Sequence, residues 1–199
     1  ATDFTLQSTS GEKIHLSDVL NYGPVLLIWG MATCPAFRGY KGDDRFAGSS
    51  YSDENFIAEA FEGRMTILHI VSAEPHPIWP NANFDTGNIR INLWSTISQP
   101  FTFLERLTVS VPPVERLLSG KIKILVDDLD ESRSNPVWCS YANAARAAIL
   151  IDSEGVIQFT QDWFNGPEMI LQIQRILGTT SLSERITDAA KSLHLASHQ

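Results

Sequence analysis

The sequence predicts an α/β fold built on a central mixed sheet with flanking helices. Three observations carry that expectation. Residues 24–29 form a continuous apolar run, residues 65–71 read as the next buried strand, and a hairpin signal at 147–160 leads into a helix opened by Gly166-Pro167. Short continuous apolar runs suit strands covered on both faces, the habit of parallel strands. The late hairpin adds antiparallel ones.

Each element follows in order. Residues 3–6 alternate apolar and polar side chains, as an edge strand does, and Gly11-Glu12 turns the chain back into 13–16. An N-terminal β-hairpin over 1–16 is therefore expected. Ser17 is placed to cap a short helix through Leu20. After the strand at 24–29 comes Gly30-Met-Ala-Thr-Cys-Pro-Ala-Phe-Arg38, where Pro35 suits the first turn of a helix. Residues 52–62 read as a helix with Asp53 and Glu54 near its start and Phe56, Ile57, Ala60 and Phe61 as its apolar face. The strand at 65–71 then leads into an insertion over 72–120. It opens with a long loop rich in proline (Pro75, Pro77, Pro80) and asparagine (Asn81, Asn83, Asn88) and continues with helical stretches at 101–107 and 114–118. A strand at 122–126, the hairpin strands 147–151 and 156–160 around the turn at 152–155, and a helix from Gly166 to about Leu177 follow. A last amphipathic helix at 181–195 would pack on the body or on a partner. Hairpin, strand–helix–strand, then strand–hairpin–helix is the layout of a single thioredoxin-like domain over 1–199, with an insertion between its halves.

Composition narrows the function classes. The chain has 199 residues, 43% of them hydrophobic and 19% charged, as an ordinary soluble globular domain has. A formal net charge of -8 argues against a nucleic-acid partner, which would select a basic surface. No apolar stretch reaches the length of a membrane span. The compartment stays open: cytoplasmic, or exported if a leader was removed before Ala1. The histidines His15, His69, His76, His194 and His198 have no zinc spacing with the cysteines, the acidic run 127–131 lacks the glycine of a calcium loop, and no phosphate-binding glycine motif is present. No metal and no cofactor are expected.

Cys34 and Cys139 are the two cysteines, too few for a disulfide scaffold. They are a redox pair, a single disulfide or two unrelated thiols. Cys34 is the candidate for chemistry. It follows a buried strand, where open sheets place their ligand sites, and a helix N-terminus there would favour the thiolate. Thr33 sets a hydroxyl beside it. Ala32 and Phe37 stand where the second cysteine of a dithiol motif would be.

The segment Gly30-Met-Ala-Thr-Cys-Pro-Ala-Phe-Arg38 resembles the active-site segment of the iodothyronine deiodinases and their bacterial redoxin-like relatives. The match falls on Gly30, Thr33, Cys34, Pro35 and Phe37. Ile70-Val-Ser-Ala-Glu-Pro-His-Pro77 resembles the family's strand followed by Glu-Ala-His-Pro, and 123–130, 146–155 and Asn165-Gly166-Pro167 resemble later segments in the same order. The resemblance implies that Cys34 is the nucleophile or redox thiol, that His76 donates a proton, and that Glu74 orients it or joins a relay, with Thr33 completing the catalytic group. It also implies that Arg146 holds an anionic substrate group through its planar fork. Pro35, Phe37 and Trp79 are expected on the substrate side.

The departures from the family are specific. Cysteine stands for selenocysteine, Ala32 replaces the nearby cysteine of some members, and the stretch 91–95 has no histidine where the animal enzymes carry one. Cys139 is a candidate resolving thiol for a Cys34 sulfenic acid. The expected function is a cysteine-dependent thiol oxidoreductase, deiodinase-like or peroxidase-like. It would act on a small-molecule, peroxide or disulfide substrate and draw on an external thiol reductant. Two rivals stand beside it: a non-catalytic thioredoxin-fold subunit of a larger assembly, or a one-cysteine peroxiredoxin. A homo-oligomer is among the partners considered.

Overall fold

The computed structural model describes residues 1–39, 48–77, 97–127, 135–142 and 144–178. The predicted C-terminal helix at 181–195, Trp79 and most of the long loop lie outside the described residues.

Seven strands form one mixed sheet: β1 (Thr5–Ser8), β2 (Lys13–His15), β3 (Val25–Trp29), β4 (Thr66–Val71), β5 (Lys123–Val126), β6 (Ala148–Ile151) and β7 (Ile157–Gln161), in the order β2-β1-β5-β4-β3-β6-β7. The centre is parallel, with Leu27 opposite Leu68 and Ile70 opposite Leu125. Both margins are antiparallel: β1 pairs with β2 and β5, and β6 pairs with β3 and β7. Every residue of β3 is buried, so the continuous apolar run marks an interior strand of the sheet, between β4 and β6.

Alternation along the strands builds two cores. Val25, Leu27, Trp29, Leu68, Ile70 and Leu125 point to one face, which α1 (Leu16–Leu20) and α5 (Pro136–Tyr141) cover. Leu26, Ile28 and Ile67 point to the other, covered by α2 (Tyr51–Ala60) and α6 (Gly166–Ile176). Val71, Ile124 and Val126 extend this second face toward α4 (Val111–Glu115). Asn165 opens α6 by accepting the Glu168 N–H at 3.0 Å, and Met169 and Ile173 are its buried stripe. No helix among the described residues is long and apolar enough to cross a membrane.

Five expectations change. Ser17 is the second residue of α1 and not its cap, since the helix starts at Leu16 with His15 as N-cap. The segment after Cys34 is a series of turns over its described residues and not a helix. The buried face of α2 is Glu54, Ile57 and Ala58 with Phe61 just beyond the helix, whereas Phe56 is 59% exposed and Ala60 is exposed. The helix expected at 101–107 is a short α3 (Phe103–Glu105) that widens into a π-turn (Arg106–Ser110) before α4. Pro112 and Pro113 lack the N–H groups that would close regular turns there, and the Val111 N–H reaches back to Arg106 instead. α5 was not anticipated, because residues 136–141 carry no helical apolar period.

Candidate active site

The sheet brings the candidate residues to one end. The Cys34 turn leaves the C-terminal end of β3, and Glu74 and His76 follow the C-terminal end of β4. Arg146 precedes β6, which runs antiparallel to β3 and therefore starts at that same end. Open sheets place ligand sites at such an end.

Cys34 is only 2% exposed and packs with Ala32, Phe37, Val71 and Val111. Its N–H donates to the Met31 carbonyl at 3.0 Å, and its carbonyl accepts the Arg38 N–H at 3.1 Å, closing one helical turn. Gly39, at φ +75°, leaves that turn in the left-handed region. Burial dominates the thiol and pushes its pKa above the ordinary value. The Phe37 N–H, the Arg146 charge and the Ala36 N–H oppose burial, while Glu74 reinforces it. The turn thus supplies the amide donors that a helix N-terminus was expected to supply, but the apolar wall outweighs them.

Thr33 joins the Cys34 turn to the segment after β4. Its backbone N–H and its hydroxyl both donate to Glu74 Oε2, at 2.9 and 2.7 Å. The same hydroxyl oxygen accepts the His76 N–H at 3.1 Å. Gln99 Oε1 accepts the Glu74 N–H at 2.9 Å, tying a residue inside the insertion to the site. Glu74 is buried, and its Oε1 has no hydrogen-bond partner among the described residues. His76 is half-buried; desolvation holds its imidazole pKa below the ordinary value, against the pull of Glu74.

Arg146 lies beneath the Cys34 turn and is fully buried. Its Nε donates to Ser49 O at 2.9 Å, Nη1 to Trp29 O and Glu54 Oε2 at 3.0 Å each, and Nη2 to Ser50 O at 3.1 Å. Phe37 and Phe164 stack on the guanidinium at 5.1 and 4.8 Å. The fork therefore faces the protein's own carboxylate in this structure. Glu54 also meets His69 Nδ1 at 2.7 Å, and His69 Nε2 lies 2.8 Å from the Gly30 carbonyl. Burial alone would raise the Glu54 pKa, but His69 and Arg146 outweigh it and hold the carboxyl below its usual range.

Gly30 is required here. A Cβ at that position would sit 2.5 Å from the His69 ring and 2.9 Å from both Arg146 Nη1 and the Phe37 ring.

Sequence reasoning missed Glu54 and His69. His69 is the one polar residue between apolar neighbours in the middle of a buried strand, which is a signal in itself. Glu54 occupies the first position of the 54, 57, 58, 61 stripe, where an acidic residue on a buried face demands a partner.

Pro35 is partly buried, and Phe37 is fully buried with Tyr51 and His69 against its ring at 6.2 and 5.2 Å. Both cysteines are free thiols. Cys139 is exposed on α5, the helix that covers the opposite face of the sheet from the one that holds Cys34. Asp127 accepts the Trp138 N–H at 2.7 Å and the Val137 N–H at 3.3 Å, so it caps α5.

No protein-family model matches the chain, and no curated protein sequence matches it. Solved structures do. The exposed lipoprotein thioredoxin Etrx1 of Streptococcus pneumoniae is similar at a TM-score of 0.53 and 19% identity, over 87% of this chain and 98% of that one. A thioredoxin-like protein from Aeropyrum pernix reaches 0.56 at 11% identity, over 87% and 89%. A secreted Mycobacterium tuberculosis disulfide oxidoreductase homologous to DsbE reaches 0.51 at 12% identity, over 86% and 95%. Identities this low carry the architecture alone, and on that ground the chain has a thioredoxin-like fold.

Proposed function

We propose that this protein is a cysteine-dependent thiol oxidoreductase in which Cys34 is the redox thiol and His76 its proton shuttle. The observation that supports it most is the Thr33 bridge. One side chain binds the turn carrying Cys34 to the turn carrying Glu74 and His76. The thiol-disulfide oxidoreductases among its structural neighbours, such as the DsbE homologue, fit this reading.

His76, with its lowered pKa, is neutral near pH 7 and can accept the Cys34 proton as the sulfur attacks. With a disulfide substrate, the Cys34 sulfur bonds to one substrate sulfur and the sulfur–sulfur bond breaks. The departing thiolate then takes the proton from His76. An external thiol attacks the mixed disulfide, returns Cys34 to its reduced state and leaves as the product disulfide. With a peroxide, Cys34 becomes a sulfenic acid and an alcohol leaves. One thiol then converts the sulfenic acid to a mixed disulfide with release of water, and a second restores Cys34. The narrower deiodinase-like specificity would direct the same thiol at an iodinated phenol. Arg146 takes a supporting part here, since its fork is engaged by Glu54 below the turn.

Turnover with a disulfide, an alkyl peroxide and an iodophenol, each with excess dithiol, tests the reading. Cys34→Ser should abolish the activity and Cys139→Ser should retain it. Equal rates for wild type and Cys34→Ser on all three would sink it.

The burial of Cys34 favours one other reading, a non-catalytic thioredoxin-fold module. Absence of Cys34-dependent turnover, with a stable complex recovered from the native source, is its outcome. Activity confined to the peroxide would select the one-cysteine peroxiredoxin.

A further inference from the structure

We propose that Glu54 and His69 are positioning residues for Cys34: with Arg146 they form a buried cluster of one net positive charge that serves as the counter-charge of the Cys34 thiolate. This rests on Cys34 being the reactive thiol.

The charge follows from counting protons. All three side chains are fully buried. The Gly30 carbonyl only accepts, so the His69 nitrogen 2.8 Å away carries a hydrogen. The other His69 nitrogen lies 2.7 Å from a Glu54 oxygen, a contact that requires one proton between them. If His69 holds it, the charges are +1, −1 and +1. If Glu54 holds it, they are 0, 0 and +1. The sum with Arg146 is one positive charge either way.

An uncompensated charge in the interior is costly, and the cluster's other contacts are carbonyl oxygens and two aromatic faces. These are dipoles and quadrupoles, and they leave the net charge in place. The structure sets this charge under the turn that bears the thiol. His69 holds Gly30, four residues before Cys34, and Arg146 and His69 hold the ring of Phe37, three residues after it. The Phe37 N–H faces the sulfur, and the Arg146 charge acts on Cys34 in the direction that favours the thiolate.

Further ionisable groups among the described residues stand around the turn. Glu74 lies beside it and acts in the opposite sense, and Arg38 donates to the Ala32 carbonyl at 3.2 Å. Asp53, next to Glu54 on α2, turns away to the Ser50 N–H at 2.9 Å. His76, its pKa lowered by burial, is neutral above the ordinary imidazole range.

The test reads the thiol directly. In a Cys139→Ser background, ultraviolet thiolate absorbance is followed against pH. Glu54→Gln leaves one positive charge, because the glutamine amide donates to a neutral His69 and its oxygen accepts from Arg146. Arg146→Lys also leaves one. His69→Gln and Arg146→Gln bring the sum to zero. The Cys34 midpoint should stay where it is in the first pair. It should rise by about one unit, a tenfold loss of thiolate at a given pH, in the second pair.

Near-ultraviolet circular dichroism establishes which variants keep the fold, and either neutral variant suffices. A midpoint that rises in Glu54→Gln overturns the proposal by itself, as does one that fails to rise in a folded neutral variant. The readout needs no substrate. Failure of the oxidoreductase reading, seen as turnover that survives Cys34→Ser, is therefore distinguishable from failure of the counter-charge.

Discussion

Thr33 is bonded to Glu74 twice, through its backbone N–H and its hydroxyl, and both bonds end on the same carboxylate oxygen. One residue thereby fixes the segment after β4 against the turn after β3. Thr33→Val is isosteric but removes the hydroxyl, which leaves Glu74 short of one donor and the His76 N–H without its acceptor. Loss of about 1–3 kcal/mol is expected in denaturant unfolding, together with a drop in Cys34-dependent turnover. Thr33→Ser, which keeps the hydroxyl, should recover most of both.

Gly30→Ala addresses the closest approach in the site. The added methyl meets His69, Arg146 and Phe37, and these are held from the other side by Glu54, Trp29 and Tyr51. Overpacking of this kind costs about 1–3 kcal/mol. Thermal unfolding should show the loss, and an unchanged Tm would mean that the three side chains can yield.

Stability should fall in acid through Glu54. Its carboxyl pKa lies below the ordinary value of 4.5 in the folded protein. Above that value both folded and unfolded states are ionised, and the stabilisation is fully present. As pH falls below it, the unfolded chain takes up a proton that the folded one refuses, and stability declines until the folded carboxyl titrates. Urea midpoints measured from pH 7 downward should show this limb in wild type and a shallower one in Glu54→Gln.

The rate should carry an acid limb set by His76. Its pKa lies below the ordinary 6.5, because burial disfavours the imidazolium. Once protonated, it has no lone pair to receive the Cys34 proton. Turnover should therefore fall as pH drops through a value below 6.5, and His76→Gln should lower the rate at neutral pH and flatten that limb. A limb that persists unchanged in His76→Gln assigns the proton transfer to another group.

Much of the frame was legible because its signals are local. The apolar run of β3 has no polar interruption, and Asp152-Ser-Glu-Gly155 announces the hairpin between β6 and β7. Cys34, Thr33, Glu74 and His76 were recoverable as short segments, and the hydrogen bonds at Thr33 join them. The helix expected after Cys34 was not recoverable: Pro35 marks a first turn equally well whether or not more turns follow. The Arg146 surroundings were hidden because they depend on a register. Arg146 reaches Glu54 only through the antiparallel pairing of β6 with β3, and residues 92 apart in sequence carry no local trace of that. The buried face of α2 was misjudged for a related reason. Glu54 stands near the start of the helix, where an acidic residue suits the helix end equally well, and its partners His69 and Arg146 lie far away in sequence, while Phe56 falls on the periodic apolar face yet is exposed.

The 2% exposure of Cys34 has a kinetic consequence. A reagent cannot meet the sulfur until the turn loosens, so the observed rate is an intrinsic rate multiplied by the population of the open form. Each 1.4 kcal/mol needed for that opening slows every reaction of the thiol about tenfold. A small oxidant and a bulky one then differ by how far the turn must open, and chance oxidation by dissolved reagents is suppressed along with the proposed chemistry. A substrate whose binding energy loosens the turn escapes this penalty, which makes access, as much as acidity, a means of telling partners apart.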